Sequence, residues 1–178
     1  MERNIYCPSC EYRIREYQYA LFSNNKDIRC GRCETDYDTE TAIIRLDKSC
    51  EKFLDIDTVK EATWYHVTRV DPSDWRYEMG IHWHNNMTHV GTHLTTNDYR
   101  RYNLKREQVR TLSFRIKPEA KVCEYIVNDF NNWMTHEDAI RFGKYDVLRY
   151  INRYEGPGQI SLLVNPAVLE MVKVGRLH

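Results

Sequence analysis

Four cysteines near the N-terminus, Cys7, Cys10, Cys30 and Cys33, limit what this chain can fold into more than any other feature. They form two Cys-x-x-Cys pairs, Cys7-Pro8-Ser9-Cys10 and Cys30-Gly31-Arg32-Cys33, and the gap between the pairs lies in the range of a zinc site. Each tight turn brings two sulfurs to one ion. Two such turns supply the four thiolates that a structural, tetrahedral Zn²⁺ takes without keeping an open position. Pro8 and Gly31 suit the sharp backbone of these turns. A thioredoxin-type redox pair belongs in a βαβ setting, which the neighbouring residues do not provide. The expected metal ligands are these four cysteines, and the expected cofactor is structural Zn²⁺.

The length of 178 residues allows one ordinary domain and a small one. A zinc ribbon over residues 1–47 is too short to bury an adequate core, so the metal supplies its folding energy. Residues 48–60 read as a linker or short helix, and residues 61–178 as a domain with its own core. Lys and Arg number 26 and so do Asp and Glu, so bulk attraction to nucleic acid is not implied. The charge is nonetheless uneven. Acids dominate between Glu34 and Glu61, and bases between Arg100 and Lys121. Each run reads as a solvated face, or, for the basic one, as a contact for phosphates. No apolar run is long enough to span a membrane, and residues 1–4 lead into the ribbon without the apolar core of a signal peptide. With Cys50 and Cys123 left over as free thiols, cysteine usage fits a reducing compartment, and a cytoplasmic location is expected.

Along the chain, residues 12–22 alternate polar and aromatic as in the short strands of a ribbon, and residues 37–46 offer its last strand, with Ile43 and Ile44 buried. Residues 62–70 are rich in β-branched and aromatic side chains and predict a strand. Residues 71–74 break it and open a helical turn carrying Trp75. Residues 89–94 predict a second strand, after which Thr95 or Thr96 caps a helix over 97–109. Further strands are expected over 111–116, 122–127 and 160–164, a weaker helix over 128–142, and a strand or helix edge over 145–151. Residues 155–158 form a turn by composition, and residues 167–174 a short turn and closing strand. The order is mixed, without a strict βαβ rhythm, so the fold class expected is α+β: a small four-cysteine zinc ribbon followed by a compact mixed α+β domain.

Three segments of that larger domain resemble one family. Tyr65-His66-Val67-Thr68 is similar to the "His-x-Thr" strand of ADP-ribosyltransferases of the His–Tyr–Glu type. His89-Val90-Gly91-Thr92, with Tyr99 following in a helix, looks like the family's second motif, a glycine-containing strand and then a helix. Residues 150–166 resemble the end of ADP-ribosyltransferase-like domains of phage and bacterial proteins, where a "Tyr-x-Asn-x-x-Glu-Gly-x-Gly" turn leads into a strand closed by an "Asn/Asp-Pro" turn. The resemblance covers about the last two-thirds of the chain and implies a split-sheet domain.

It also implies a chemistry. Such enzymes split the nicotinamide–ribose bond of NAD through an oxocarbenium-like transition state and transfer ADP-ribose to a macromolecular acceptor, protein or nucleic acid, with the zinc ribbon here expected to assist target recognition. Glu155 would bond the ribose 2′-hydroxyl and orient or deprotonate the acceptor, as carboxylates do in glycoside hydrolysis. His66 and Thr68 would hold the adenosine ribose, Gly91 and Thr92 would line the cofactor site, and Tyr99 would stack on nicotinamide. Two departures stand out. Gln159 and Ser161 occupy the place directly before the last strand where many members carry the catalytic Glu, and His93 can be aligned where the family often has a stacking Tyr. Each residue also has a plain structural reading: His66 as a hydrogen-bonded core histidine, Glu155 as a turn carboxylate, Tyr99 and Tyr102 as packing residues. The histidines His82, His84, His89 and His93 suggest a second metal, but no acidic ligand or His-Glu-x-x-His pattern accompanies them. The alternative function is a non-catalytic zinc-ribbon module that binds nucleic acid or a protein partner.

Overall fold

The structure, a computed structural model, describes residues 4–22, 26–69, 87–102, 109–127 and 133–175. The turn expected over 71–74 and the histidines His82 and His84 lie outside the described residues.

The N-terminal module contains strands β1 (Ile5–Tyr6), β2 (Ile28–Arg29), β3 (Asp36–Tyr37) and β4 (Ile43–Ile44) and helix α1 (Glu16–Phe22). β1 pairs antiparallel with β4, and β2 with β3. Ile43 and Ile44 are half-buried rather than buried. Helix α1 stands where alternation suggested strands. Gln18, in its first turn, accepts from the Arg15 backbone N–H at 3.1 Å, the half of a capping box that a Gln supplies, and its amide donates to Arg29 O at 2.8 Å. The alternation was misleading because Tyr19 alone among the tyrosines of this stretch is fully buried. Ile5, Ile14, Tyr19, Ile28, Tyr37 and Ala42 close around Cys7 and Cys30 as a small core.

A 3-10 helix (Lys48–Leu54) and helix α2 (Ile56–Glu61) follow. Asp47 caps the first and Asp55 the second, each accepting a backbone N–H three or fewer residues on. Then come β5 (Trp64–Thr68), β6 (Thr88–Gly91), α3 (His93–Tyr102), β7 (Arg110–Ile116), β8 (Val122–Val127), α4 (Trp133–Arg141), β9 (Val147–Ile151), β10 (Ile160–Val164) and β11 (Leu169–Val174), the last entered through a 3-10 turn (Pro166–Val168). The chain is thus mixed α+β, with one seven-stranded sheet in the order β11-β7-β5-β6-β10-β9-β8. Every neighbouring pair is antiparallel except β8 with β9.

One face of the sheet is covered by the 3-10 helix and α2. Cys50, Phe53 and Val59 pack there on Trp64, Leu112, Phe114 and Leu162. Each such aliphatic or aromatic burial contributes roughly 1.5–3 kcal/mol. Trp64 is fully buried, donates its indole N–H to Val59 O at 2.8 Å, and meets the Phe53 ring at 4.9 Å. The opposite face carries α3 against β5 and β6, and α4 against β9. Ile140 of α4 joins Met87, Cys123, Val127, Leu148, Tyr150 and Leu163 in a second cluster.

Between β5 and β6 the register contains a single bridge, Tyr65↔Gly91. Beyond it the backbone ladder stops, and the His66 imidazole donates from Nδ1 to His89 O at 2.7 Å in its place. β5 and β6 thus remain neighbours in one sheet, joined by this bridge and by the His66 side chain.

Candidate functional site

The four cysteines converge. Their sulfurs all lie within 4.8 Å of one another, and the Cys7–Cys33 and Cys10–Cys30 separations are each 3.6 Å. A tetrahedron with metal–sulfur bonds of about 2.3 Å has sulfur–sulfur edges of about 3.8 Å, so the donor set has the size of a four-thiolate centre. The two halves are built alike. Glu11 N–H returns to Cys7 O and Glu34 N–H to Cys30 O, at 3.0 and 3.1 Å. Cys7 N–H donates to Tyr12 O and Cys30 N–H to Thr35 O, both at 2.9 Å. Glu11 and Glu34 sit at φ 53° and 60°, the left-handed region that costs a non-glycine residue about 1–2 kcal/mol. That cost recurs in both turns because it aims the paired sulfurs inward. The Thr35 hydroxyl and backbone hold the exposed Cys33 thiol down at about 6, whereas burial pushes the Cys10 thiol up to about 12. Among the described residues, this is the group of side chains placed to bind a metal ion, and it is compatible with a zinc ribbon.

A second polar group lies across the middle strands of the sheet. Tyr65, Gly91, Ser161 and Tyr150 are in register across β5, β6, β10 and β9, so they share the face that carries α3 and α4. On that face His89 Nδ1 and the Tyr150 hydroxyl form a 2.9 Å hydrogen bond. Burial, with the adjacent His66 ring second, presses the His89 pKa down to about 4. Burial also lowers His66, against the opposing pull of its bond to His89 O. Both imidazoles are therefore neutral near pH 7. Burial first, then the Glu155 charge, raises Tyr150, while the Ser161 hydroxyl opposes. Glu155 itself is raised by burial. His66 and His89 are thus joined through the His89 carbonyl and His89 and Tyr150 through their side chains, while Glu155 acts on Tyr150 through its charge.

The turn that carries Glu155 is organised by Asn152. Its Oδ1 accepts from Tyr154 N–H at 2.9 Å and Glu155 N–H at 2.7 Å, and its amide donates to Ser161 Oγ at 3.0 Å. Gly158 N–H closes the turn on Asn152 O.

Set against known proteins, the chain matches no family model, no curated protein and no solved structure. The resemblance drawn from the sequence is carried by this chain's residues alone, and their placement is as follows. His66 donates to His89 O, and Glu155 is half-buried on the Asn152 turn. Thr68 is buried at the end of β5. Gly91 lies under α3, and a Cβ there would come within 2.9 Å of Thr95 Cβ and Cγ2. Thr92 is the helix cap: its hydroxyl accepts from Thr95 N–H at 3.3 Å and donates to Gln159 Oε1 at 3.0 Å. His93 is exposed at the start of α3, edge-on to the half-buried Tyr65 ring at 5.2 Å, with Asn97 Nδ2 3.1 Å from its Nδ1. Tyr99 is half-buried on the same helix.

His89, Tyr150 and Ser161 stand inside the quoted motifs, but the resemblance gave them no binding or catalytic role. A signal existed for one of them. Ser161 is the polar residue in an otherwise apolar strand, Ile160–Val164, whose five positions are all buried. A buried hydroxyl there needs partners, and Asn152 and Tyr150 provide them.

Proposed function

We propose that this chain is a zinc-containing, NAD-dependent ADP-ribosyltransferase acting on a macromolecular acceptor, protein or nucleic acid. One observation carries the reading. His66 donates to His89 O, the His89 ring bonds the Tyr150 hydroxyl, and the Glu155 charge acts on Tyr150, so residues distant in sequence to which the resemblance gives different roles are linked through two others. A catalytic carboxylate needs partial desolvation to act strongly on a developing cation, and Glu155 has it.

In the reaction, the C1′–N bond to nicotinamide breaks and its electron pair leaves with neutral nicotinamide. The acceptor's nucleophilic atom bonds C1′, and its proton passes to the Glu155 carboxylate. His66, held by His89 O, is the residue that the resemblance would have hold the adenosine ribose. Tyr65 and His93, an edge-on ring pair at the head of α3, offer an aromatic surface for stacking. Zn²⁺ suits the four-thiolate centre, which leaves no coordination position for substrate and so acts in folding.

The test is transfer of label from NAD by metal-loaded protein in a cell extract, with wild type beside Glu155→Gln. Label on protein or nucleic acid with wild type alone establishes the transferase and names the acceptor class. Absence of transfer, nicotinamide release and NAD binding would overturn it. The zinc-ribbon binding module, with Gly91 and Thr92 serving packing and capping only, would then be the better account.

A further inference from the structure

We infer that Arg153 is a positioning residue that fastens the Glu155 turn to the metal module, so that the four-cysteine centre builds the site from within rather than serving only to recognise a target. Arg153 reaches out of the turn to the loop between β3 and β4. Its Nη1 donates to Thr39 O at 2.5 Å, Ala42 O at 2.9 Å and Glu40 O at 3.2 Å. The next residue, Tyr154, bonds the Glu40 carboxylate. On the other side of the turn, Asp47 N–H donates to Gly158 O at 2.8 Å. The contact is so close that a Cβ on Gly158, already at φ +87°, would stand 2.6 Å from Arg45 O. Both residues flanking Glu155 on its N-terminal side, at positions 153 and 154, are thereby spent on holding the module.

The carbonyls that receive Arg153 depend on the metal. β3 pairs with β2, which ends at the residue before Cys30, and β4 pairs with β1, which ends at the residue before Cys7. The loop from Asp38 to Ala42 is therefore strung between the two cysteine turns, and the module's own core is too small to hold them without the ion. A second attachment reaches α3, where buried Tyr19 donates to Asp98 Oδ2 at 3.0 Å. The module grips both the helix that carries His93 and the turn that carries Glu155.

The functional meaning rests on Glu155 as the working carboxylate, but the attachment can be measured apart from it. Amide hydrogen exchange is followed on the metal-loaded full chain, on Arg153→Ala and on chelator-treated wild type. In Arg153→Ala, with one metal per chain retained, the amides of Tyr154, Glu155, Gly158 and Gln159 should exchange about tenfold faster or more, since several charge-assisted bonds are lost. Those of β7 and β11 should stay at wild-type rates. Chelation should release the same turn together with the module. Unchanged turn protection in both samples overturns the inference, as does uniform acceleration of every strand. Should Arg153→Ala fail to fold, Tyr154→Phe removes one bond of the same attachment and must show a smaller acceleration confined to the same amides. In the transfer assay, Arg153→Ala should lower kcat at near-constant KM for NAD, with partial rescue by Arg153→Lys, which reaches fewer of the three carbonyls. If wild type transfers nothing, the catalytic reading fails, and the exchange data decide the attachment alone.

Discussion

Glu155 and His89 are two titratable groups placed against their own charge, and they pull stability in opposite directions with pH. Burial raises Glu155, so its ionised form is disfavoured in the fold. The folded state binds the proton more tightly than the unfolded one. Its stabilising contribution is complete below the ordinary carboxyl value and is lost as pH rises through the folded value. Glu155→Gln, a mimic of the protonated form, should therefore melt higher than wild type at pH 7, with the gain vanishing below about pH 4. A calorimetric melting series in both proteins checks this, and a Gln variant no more stable at pH 7 would show that the carboxylate is not desolvated. His89 has the reverse sign. Its folded value of about 4 lies below the ordinary 6.5, so the unfolded chain binds the extra proton as pH falls through that window. Stability present above about 6.5 is lost towards 4, and His89→Phe, which cannot take up that proton, should flatten this acid limb in urea titrations. A site residue that costs stability at working pH is what a functional group, rather than a packing residue, is expected to do.

Strands and helices were legible where local pattern and packing agree. Trp64–Thr68 and Ile160–Val164 fall inside the expected segments because both are β-branched or aliphatic runs that the sheet buries. The α3 boundary was not. Strand character read through to Leu94 and the cap was placed at Thr95 or Thr96, whereas the helix begins at His93 with Thr92 as its cap. The reason is tertiary: Thr95 folds back over Gly91 so closely that only a glycine fits. Gly91→Ala should therefore lift the first turn of α3 off β6 and cost about 1–3 kcal/mol, read from urea unfolding midpoints at constant slope. Arg149 is the second feature that sequence could not reveal. It is an arginine in the middle of a core strand, 1 % exposed. The β8–β9 register slips between Val122 and Ile126, freeing backbone carbonyls from the ladder. Arg149 supplies the missing donors, to Cys123 O at 2.9 Å and Glu124 O at 2.7 Å, and ties in the end of the 3-10 helix through Phe53 O and Leu54 O. Arg149→Met should cost about 3 kcal/mol or more, because each buried carbonyl left unpaired costs about 1–3 kcal/mol.

The six cysteines report how the module and the sheet depend on each other. Four converge on the metal centre. Cys50 is buried at the junction, its thiol donating to Gln159 Oε1 at 3.1 Å beside the Glu155 turn, and burial raises its pKa. Cys123 is fully buried under α4 in the second cluster. The sheet has its own core, so it should survive loss of the metal that the module needs. Thiol reactivity then has a fixed order. Metal-loaded protein should react slowly at every cysteine, because coordination or burial removes each from attack. On chelation four thiols should become fast, and zinc release should be one ion per chain. Cys50 should follow as the Gln159 turn loosens, and Cys123 should come last, at the rate of global unfolding. Timed alkylation with mass mapping of the modified peptides reads this order directly. Six thiols appearing together would mean that the sheet cannot stand without the metal. Cys123 preceding Cys50 would mean that the junction is firmer than the sheet's far edge, and that the metal module does not govern the turn it holds.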